Sequence, residues 1–287
     1  MSEDKGAVLI TGCSSGIGHA TALHLVGQGR RVYATARKPE QIVDLADAGC
    51  KTLALDVNDG GSMSAAVHAV ESECGPIGAL VNNAGYSQSG ALETLPMERL
   101  RAQFETNVFG LVRMCQLVLP GMRDAGRGHI VNLSSMGGKL TFPGGGAYHA
   151  SKYAVEALSD ALRFEVSGFG IKVVIVEPGL IITNFGETAA GSLADTGATA
   201  SGDPYAEFNA MVGATTTGAY EGPMRHLGAG PESVAKVIDR AISSSNPRPR
   251  YKVTASARVL MAQRSLLPDR AWDAVMRGQF KAPRRTD

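Results

Sequence analysis

Apolar residues follow two alternating patterns along this chain of 287 residues. Short runs of aliphatic and β-branched residues alternate with longer segments in which apolar residues recur at the three- and four-residue spacing of a helix. The short runs are apolar at consecutive positions, which is typical of strands buried on both faces. We predict strands at 7–11, 31–36, 52–56, 79–82, 129–133 and 172–176, and helices at 17–28, 39–48, 62–73, 97–122 and 148–166.

Strands that alternate with helices build a parallel sheet with helices on both faces. The C-terminal part adds a predicted helix at 231–243, a last strand at 251–253 and amphipathic helices at 257–261 and 270–280. We therefore predict an α/β fold, a doubly wound (Rossmann-type) parallel sheet of about seven strands in a single domain over residues 1–287. In such sheets, ligands bind beyond the carboxyl ends of the strands.

Both patterns break down between residues 180 and 230, which we call the lid region. The high content of Gly, Ala, Thr and Ser in this region would fit a disordered linker. The interspersed large apolar residues instead favour a mobile apolar lid that covers a substrate pocket. These large residues are Phe185, Tyr205, Phe208, Met211, Tyr220 and Met224.

The overall charge does not indicate a polyanionic partner. The formal net charge is +1, with 28 Lys and Arg against 27 Asp and Glu, so we expect no nucleic-acid ligand. Residues 248–287, the C-terminal extension, are basic, with ten Lys and Arg against three Asp and Glu. This composition favours a solvated or subunit-contacting surface over contact with acidic lipid or an anionic substrate.

The cysteines give no indication of a metal site or a disulfide framework. Cys13, Cys50, Cys74 and Cys115 are far apart, and no group of His, Cys and carboxylates has metal-ligand spacing. The N-terminus runs into a strand-like segment without an apolar leader, and no stretch reaches about 18 uninterrupted apolar residues. We therefore expect a cytoplasmic protein with reduced thiols, no metal and no membrane span.

A glycine-rich turn follows the first predicted strand and opens the first helix. Glycines there allow a tight turn and a close approach of backbone to a pyrophosphate, while the helix N-terminus presents free N–H groups to the anion. The sequence therefore predicts a dinucleotide site at this turn. The turn reads Thr11-Gly12-Cys13-Ser14-Ser15-Gly16-Ile17-Gly18.

The end of the second predicted strand distinguishes between the two nicotinamide dinucleotides. An acidic residue there would bind the adenosine ribose hydroxyls, but positions 33–38 hold no carboxylate and end in Arg37 and Lys38. A guanidinium pairs well with a 2′-phosphate. NADP(H) is therefore favoured over NAD(H), the alternative being that both cations are ordinary surface charges.

Ser135, Tyr148 and Lys152 form the candidate catalytic group. Tyr148 and Lys152 are four positions apart, so they share one face of the predicted helix and the ammonium can lie beside the phenol. A phenol titrates near pH ~10, and a neighbouring positive charge lowers its pKa by roughly 1–3 units, toward the range of a usable acid and base. Ser135 would hold a substrate oxygen next to the phenol, and the adjacent Ser134 competes for that role. His149 lies about 100° further around the helix, which argues against a catalytic role.

Taken in order, these motifs resemble those of the short-chain dehydrogenase/reductase family, over about residues 5–185. Segments 34–40 and 266–275 are similar to the branch that contains hydroxysteroid and retinol dehydrogenases. The matching motifs are Thr-Gly-x-x-x-Gly-x-Gly at 11–18, Asn82-Asn83-Ala84-Gly85, Asn107, Ser135, Tyr148-x-x-x-Lys152 and Pro178-Gly179.

The resemblance implies roles for individual residues. Tyr148 would donate a proton in reduction and accept one in oxidation, with Ser135 holding the substrate oxygen. Lys152 would lower the phenol pKa and bind the nicotinamide ribose. Asn107 would position a water in a proton relay, the alternative being that its amide satisfies buried backbone groups. The implied cofactor contacts are Gly12, Ser14, Ser15, Gly16, Ile17, Gly18, Arg37, Lys38, Asp56, Val57, Asn83, Ala84, Gly85, Tyr148, Lys152, Pro178, Gly179 and Thr183.

The resulting prediction is an NADP(H)-dependent oxidoreductase that interconverts a carbonyl and a primary or secondary alcohol by hydride transfer. The resemblance and the apolar lid region suggest a bulky lipophilic, steroid-like or retinoid-like substrate. The resemblance also implies a homodimer or homotetramer, formed through the helices at 97–122 and 148–166.

Two alternative functions remain open from the sequence. One is a non-catalytic NADP(H)-sensing regulatory protein, which would have no need of the four candidate catalytic residues together. The other is an NAD(H)-dependent dehydrogenase of a smaller alcohol. A dehydratase or epimerase on the related longer-chain fold would have a different glycine spacing and a larger C-terminal domain, so it is disfavoured.

Overall fold

One parallel sheet organises the part of the chain that the structure, a computed structural model, describes, which is residues 6–194 and 203–283. Its strands are short and most are buried on both faces, as the apolar runs predict. In chain order they are β1 (Val8–Ile10), β2 (Val32–Ala36), β3 (Lys51–Ala54), β4 (Ala79–Asn82), β5 (Gly128–Leu133), β6 (Ile171–Glu177) and β7 (Arg250–Lys252).

The strand order in space is β3-β2-β1-β4-β5-β6-β7, so the sheet grows in one direction to β3 and in the other from β4. Leu9 of β1 lies opposite Tyr33 of β2 on one side and opposite Leu80 of β4 on the other. The connections that leave β1 and β4 therefore diverge, and a crevice opens between them at the carboxyl edge of the sheet. The candidate site residues come from the loops around this crevice.

Helices cover both faces of the sheet. Each of the first six follows a strand or precedes one, as the alternating pattern predicts. They are α1 (Gly16–Gly27), α2 (Val43–Asp47), α3 (Gly60–Cys74), α4 (Met97–Phe104), α5 (Gly110–Asp124), α6 (Gly146–Glu165), α7 (Phe185–Ala194), α8 (Ala206–Glu221), α9 (Pro231–Ser243), α10 (Ala255–Leu266) and α11 (Asp269–Gln279).

Successive residues of β1 belong to different cores. Ile10 packs with Leu25 of α1 in the core that also includes α9. Leu9 packs in the opposite core, with Met114 of α5 and Val155 of α6. Because both faces of the strands are buried, the sheet is rigid at the edge where the loops of the site begin.

The long helix predicted at 97–122 is interrupted. A π-helical turn, Glu105–Phe109, separates α4 from α5, and Asn107 lies in it. The apolar spacing continues across a single wide turn, so the pattern does not reveal it. Gly110 follows immediately, and a Cβ there would lie 2.5 Å from the Val57 carbonyl oxygen.

The lid region is more ordered in its secondary structure than its composition predicts. It contains α7, α8 and a short 3₁₀ turn, Pro223–Leu227. The part of the predicted lid at 195–202 lies outside the described residues, as do residues 284–287 of the C-terminal extension.

The C-terminal extension packs against two parts of the molecule. Helices α10 and α11 bury Trp272 and Met276 against Leu140, in the segment that follows Ser135. Beyond α11, Phe280 is buried with Leu193 of α7 and Val212 of α8. The extension therefore joins the lid region to the segment that carries the candidate serine. Within residues 6–194 and 203–283, no helix is both long and apolar enough to cross a bilayer.

Candidate active site

The glycine-rich turn after β1 has the backbone geometry that its sequence predicts. Gly12 and Gly16 have φ of +72° and +60°, a region that favours glycine. Gly18 has no room for a side chain, because a Cβ there would lie 2.4 Å from both the Asn83 Nδ2 and the Gly12 carbonyl oxygen. Glycine is therefore required at two of these positions by the backbone conformation and at the third by close packing.

Hydrogen bonds join this turn to the loop after β4. The Thr11 hydroxyl accepts from the backbone N–H groups of Asn83 and Ala84, both at 3.0 Å. The Asn83 amide donates to the carbonyl oxygens of Thr11 and Gly12 at 2.9 and 2.8 Å. The floor of the crevice is thereby fixed by a side chain from each of its two loops.

The N-terminus of α1 suits a dinucleotide phosphate. Ser15 is the N-cap residue but its side chain makes no capping bond, and the first turn carries no acidic residue. The first N–H groups of the helix are therefore available to an anion, with the favourable end of the helix dipole behind them. Ser14 and Ser15 are exposed, while Ile17 is half-buried against the sheet.

A cavity of about 610 Å³ lies beside this helix N-terminus. Ser15, Gly16 and Thr183 line it, together with Asn184 and Lys236. A Cβ on Gly16 would lie 3.5 Å from Thr183 Cγ2, so the turn after β1 and the loop after β6 approach one another here. The glycine cradle, the free N–H groups and this adjoining space fit the phosphate end of a dinucleotide.

The predicted residues at the ends of β2 and β3 lie at the same edge of the sheet. Arg37 and Lys38 are exposed and form no ion pair with another residue of the described chain. Asp56 is half-buried, and its Oδ1 accepts from the Asn58 N–H at 2.9 Å. Val57 is buried beside it. A cofactor in the crevice would find two free cations at the end of β2 and no carboxylate among residues 33–38.

Ser135 and Tyr148 are brought together by a tight turn after β5. The turn is a 3₁₀ helix, Met136–Gly138, for which Ser135 is the N-cap residue, and the Gly137 N–H donates to Ser135 Oγ at 3.0 Å. The Ser135 hydroxyl is also hydrogen-bonded to Tyr148 on the first turn of α6. Ser134 is buried, and its hydroxyl oxygen has no hydrogen-bond partner among the described residues. These contacts support the choice of Ser135 over Ser134, which its separation from Tyr148 favours in the sequence.

Desolvation is the largest influence on the pKa of the Tyr148 phenol. Desolvation raises the pKa of the phenol above that of free tyrosine, and the nearby Tyr220 acts in the same direction. The hydrogen bond from Ser135 lowers the pKa, but by less. Because desolvation is the largest effect, the prediction that Lys152 brings the phenol pKa down toward neutrality is not met by this arrangement.

Lys152 lies close to Tyr148, as the spacing of four residues predicts. Its Nζ is 5.9 Å from the centre of the Tyr148 ring and donates to the Leu133 carbonyl oxygen at 2.7 Å. Burial lowers the pKa of Lys152 to about 8, and the negative charge of Glu156 one turn later opposes this shift. Glu156 is itself fixed by Lys139 at 2.9 Å. The amine can therefore change its charge near neutral pH.

The side-chain amide of Asn107 is hydrogen-bonded to backbone and side-chain groups. Its Oδ1 accepts from the Tyr86 N–H at 3.1 Å, and its Nδ2 donates to the Tyr86 carbonyl at 3.0 Å and to Ser151 Oγ at 3.0 Å. The sequence left two roles open for Asn107, a water-mediated proton relay and the pairing of buried backbone groups. The contacts in this structure are those of the second role. Gly85 lies beside it, and a Cβ on Gly85 would lie 3.0 Å from Asn107 Oδ1 and 3.8 Å from Lys152 Nζ.

Pro178 and Gly179, two of the predicted cofactor contacts, pack against the serine turn and the N-terminus of α10. The Pro178 carbonyl accepts from the Met136 N–H at 2.8 Å. Gly179 is packed so closely that a Cβ would lie 2.3 Å from Thr254 Oγ1 and 2.4 Å from Ser256 Oγ. These residues anchor the loop after β6 to the serine turn and to α10.

Aromatic side chains of the lid region cover Tyr148. The Tyr148 and Phe185 ring centres are 5.6 Å apart, and Phe185 is the first residue of α7. Tyr220 of α8 packs against α7, since a Cβ on Gly186 would lie 2.6 Å from its ring. The lid region therefore covers part of the Tyr148 ring, in keeping with the desolvation that raises the pKa of its phenol.

Polar residues that no motif identifies attach the lid region to the loop after β4. The Ser89 N–H donates to Ser192 Oγ at 2.9 Å, and the Ala91 N–H donates to Asn209 Oδ1 at 3.1 Å. Asn209 is fully buried. Single polar residues in an amphipathic helix usually lie on its exposed face, so no sequence pattern predicts these contacts.

The remaining His and Cys side chains contribute no metal site in the described ranges, where no group of three or more His, Cys, Asp and Glu is close enough to hold an ion. His19, a residue of α1, lies with its Nε2 at 2.6 Å from Asp44 Oδ2. All four cysteines are free thiols. Burial raises the pKa of Cys13 and Cys115 to about 12, so these thiols are unreactive.

Comparison with known proteins identifies the family. A family model described as short chain dehydrogenase matches residues 6–192. The 3-ketodihydrosphingosine reductase of Bacteroides thetaiotaomicron is 39% identical over 271 residues, which cover 94% of this chain and 96% of that protein.

Solved structures agree with this assignment. A short-chain dehydrogenase from Streptomyces avermitilis has a TM-score of 0.74 and 33% identity, covering 95% of this chain and 98% of that one. The closed form of a serine dehydrogenase complexed with NADP⁺ has a TM-score of 0.73 and 27% identity, covering 86% and 94%. The chain therefore belongs to the short-chain dehydrogenase/reductase family of oxidoreductases.

Proposed function

We propose that the protein is an NADP(H)-dependent oxidoreductase that interconverts a carbonyl compound and an alcohol, with Tyr148 as the acid and base. The observation that supports this most is the contact of Ser135 with Tyr148, with Lys152 within 6 Å of the ring, at the carboxyl edge of the sheet where the glycine turn also lies. Family membership alone would support an oxidoreductase, whereas this grouping supports Tyr148 as its acid.

In the reductive direction, the Tyr148 phenol donates its proton to the oxygen of the carbonyl group as that oxygen gains negative charge. The phenol is protonated at neutral pH, as this role requires, and the raised pKa leaves it so. Ser135 holds the substrate oxygen beside the phenol. The bound dinucleotide supplies the hydride, or takes it up in the oxidative direction.

Lys152 and Asn107 support this acid from the other side. The ammonium of Lys152, held by the Leu133 carbonyl, would bind the hydroxyls of the nicotinamide ribose. Asn107 keeps the Tyr86 backbone and Ser151 in place and belongs to the proposed proton relay to solvent.

NADP(H) is the proposed cofactor because of the end of β2. Arg37 and Lys38 supply positive charge that no residue of the described chain neutralises, as a 2′-phosphate requires. The NADP⁺ complex of the serine dehydrogenase relative is consistent with this choice.

A bulky lipophilic substrate is proposed for two reasons. Phe185 and Tyr220 give the space above Tyr148 apolar walls. In addition, a relative that is 39% identical is named as a reductase of 3-ketodihydrosphingosine, a ketone with a long hydrocarbon chain. A steroid-like or retinoid-like compound of the predicted branch is likewise large and lipophilic.

Assembly and location are proposed on narrower grounds. Phe109 at the start of α5, and Tyr153, Leu158 and Phe164 on α6, expose large apolar side chains, which supports a homodimer or homotetramer through these helices. The free thiols support a reducing compartment such as the cytoplasm.

The proposal is tested by following NADPH oxidation with a panel of ketones and aldehydes, including long-chain 3-ketones and steroids. Tyr148→Phe should retain NADPH binding and lose about 10²- to 10⁴-fold in turnover, because the proton donor is gone. Tyr153→Phe is the matched control, since Tyr153 lies on the same helix and is 43% exposed. Full activity of Tyr148→Phe would remove the phenol from the mechanism, and NADPH binding without turnover of any compound would favour the sensor.

A further inference from the structure

His149 is buried beside the candidate acid and contacts the serine turn. Its Nδ1 lies 3.1 Å from the Gly137 carbonyl oxygen. Because a carbonyl oxygen only accepts, Nδ1 carries the hydrogen of this bond. Burial lowers the pKa of His149 to about 4, so the ring is neutral at physiological pH and donates from Nδ1 alone.

Gly137 transmits this contact to Ser135. Its N–H donates to Ser135 Oγ at 3.0 Å, while its carbonyl accepts from His149. The Ser135 hydroxyl is in turn bonded to Tyr148. Two consecutive residues of α6 therefore contact the same turn: Tyr148 contacts its N-cap residue, Ser135, and His149 contacts its middle residue, Gly137.

The imidazole has little freedom to move. A Cβ on Gly137 would lie 2.5 Å from His149 Nδ1, and one on Gly145 would lie 2.7 Å from Nε2. The ring centre is 5.9 Å from that of Phe142 and 5.6 Å from that of Tyr148. Glycines on both edges of the ring and aromatic groups beside it fix the direction of the Nδ1–H bond.

We propose that His149 is a positioning residue that sets the orientation of the Ser135 hydroxyl toward the substrate oxygen and Tyr148, through the Gly137 peptide. This inference rests on the proposed function, in which Ser135 holds the substrate oxygen. His149 touches neither substrate nor cofactor in this account. Its rotation away from the face shared by Tyr148 and Lys152 is what places it against the turn.

Three substitutions separate the hydrogen bond from the packing. In His149→Asn the amide nitrogen stands near the position of Nδ1 and keeps the donor, in His149→Gln it stands near Nε2, and His149→Leu has no donor. We expect kcat to fall about tenfold in the leucine and glutamine variants, the effect of losing one oriented hydrogen bond. The asparagine variant should keep more than half of kcat, and NADPH affinity should change less than about twofold in all three.

A second measurement distinguishes positioning from loss of structure. Tyr148 is faced by Ser135 from the serine turn, by Lys152 and His149 from its own helix, and by Tyr220 from α8. If the Ser135 bond that lowers the Tyr148 pKa is loosened, the pH at which oxidation of the alcohol becomes half-maximal should rise in the leucine variant. A role in packing alone would lower the melting temperature and leave this pH unchanged.

Two results would overturn the inference: a leucine variant with wild-type kcat and pH dependence, or an asparagine variant as slow as the glutamine variant at equal melting temperature. If the leucine variant fails to fold, the asparagine and glutamine pair still decides. Failure of the proposed function appears separately, as full activity of Tyr148→Phe in a protein with unaltered His149.

Discussion

Burial acts in opposite directions on the two titratable side chains at the site. It raises the pKa of the Tyr148 phenol and lowers that of the Lys152 amine to about 8, because it favours the neutral form of each. A protonated phenol beside an amine that is still charged at neutral pH is the state needed for proton donation. The spacing of the two residues in the sequence predicted their proximity but not the direction of the shift in the phenol pKa, which is dominated by desolvation with a smaller contribution from Tyr220.

The pH dependence of reduction should follow from Lys152. An amine with a pKa of about 8 is charged below that pH and neutral above it, so ribose binding weakens as pH rises through this value. We expect kcat/KM for NADPH to fall on the alkaline side with a midpoint near pH 8. A profile measured at constant ionic strength that stays flat up to about pH 10, the ordinary range of lysine, would contradict this role.

The proposed preference for NADP(H) over NAD(H) can be tested at a single residue. Arg37→Ala should raise the KM for NADPH roughly 10- to 100-fold and leave the KM for NADH nearly unchanged, because one charge-assisted contact to the 2′-phosphate is lost. Arg240→Ala is the control, since Arg240 is exposed at the C-terminal end of α9, away from the carboxyl edge of the sheet. Equal effects on both dinucleotides would show that Arg37 does not select between them.

Among the elements, the regular strands and helices follow from the sequence, and the irregular ones do not. The apolar runs predict β1 to β6 because a buried strand requires consecutive apolar residues. The π turn Glu105–Phe109 leaves no periodic signal, since it inserts a single residue into a helix. The residues Ser192 and Asn209 were likewise not predicted, because their partners are backbone groups of a distant loop.

Two glycines of α1, Gly18 and Gly27, allow a test of whether close packing requires glycine at position 18. Gly18→Ala should lower both thermal stability and NADPH affinity, because its Cβ would meet the Asn83 amide and the Gly12 carbonyl at 2.4 Å. Gly27→Ala on the same helix has open space around it and should stabilise the protein by about 0.5–1 kcal/mol. Urea unfolding and NADPH titration of both variants check this, and a stable Gly18→Ala with normal NADPH affinity would contradict it.

At the scale of the whole molecule, the C-terminal extension connects the parts around the candidate site. Its helices bury Leu140 beyond the serine turn, and Phe280 is buried between α7 and α8. The sequence predicted these helices and their basic charge but not their contacts, since apolar spacing does not specify the partner of an apolar face. The extension thereby belongs to the structure around the site and is not only a solvated surface.

Removing the Phe280 side chain should weaken substrate binding more than cofactor binding. Phe280→Ala should cost about 3 kcal/mol of stability and raise the KM for a bulky ketone, while NADPH affinity is retained. Leu266→Ala is the control, because Leu266 is 82% exposed on α10. An unchanged KM for bulky and small ketones in Phe280→Ala would show that the extension has no part in forming the substrate space.

The central claim is that this chain moves a hydride to a carbonyl carbon while Tyr148 supplies the proton. The most direct measurement uses NADPH that carries deuterium at both hydrogen positions of C4 and a long-chain 3-ketone, with mass analysis of the alcohol formed by the wild-type protein and by Tyr148→Phe. The account predicts one deuterium on the carbinol carbon of the wild-type product, and almost no alcohol from Tyr148→Phe although it still binds NADPH. Alcohol without deuterium, or labelled alcohol formed at the wild-type rate by Tyr148→Phe, would contradict it.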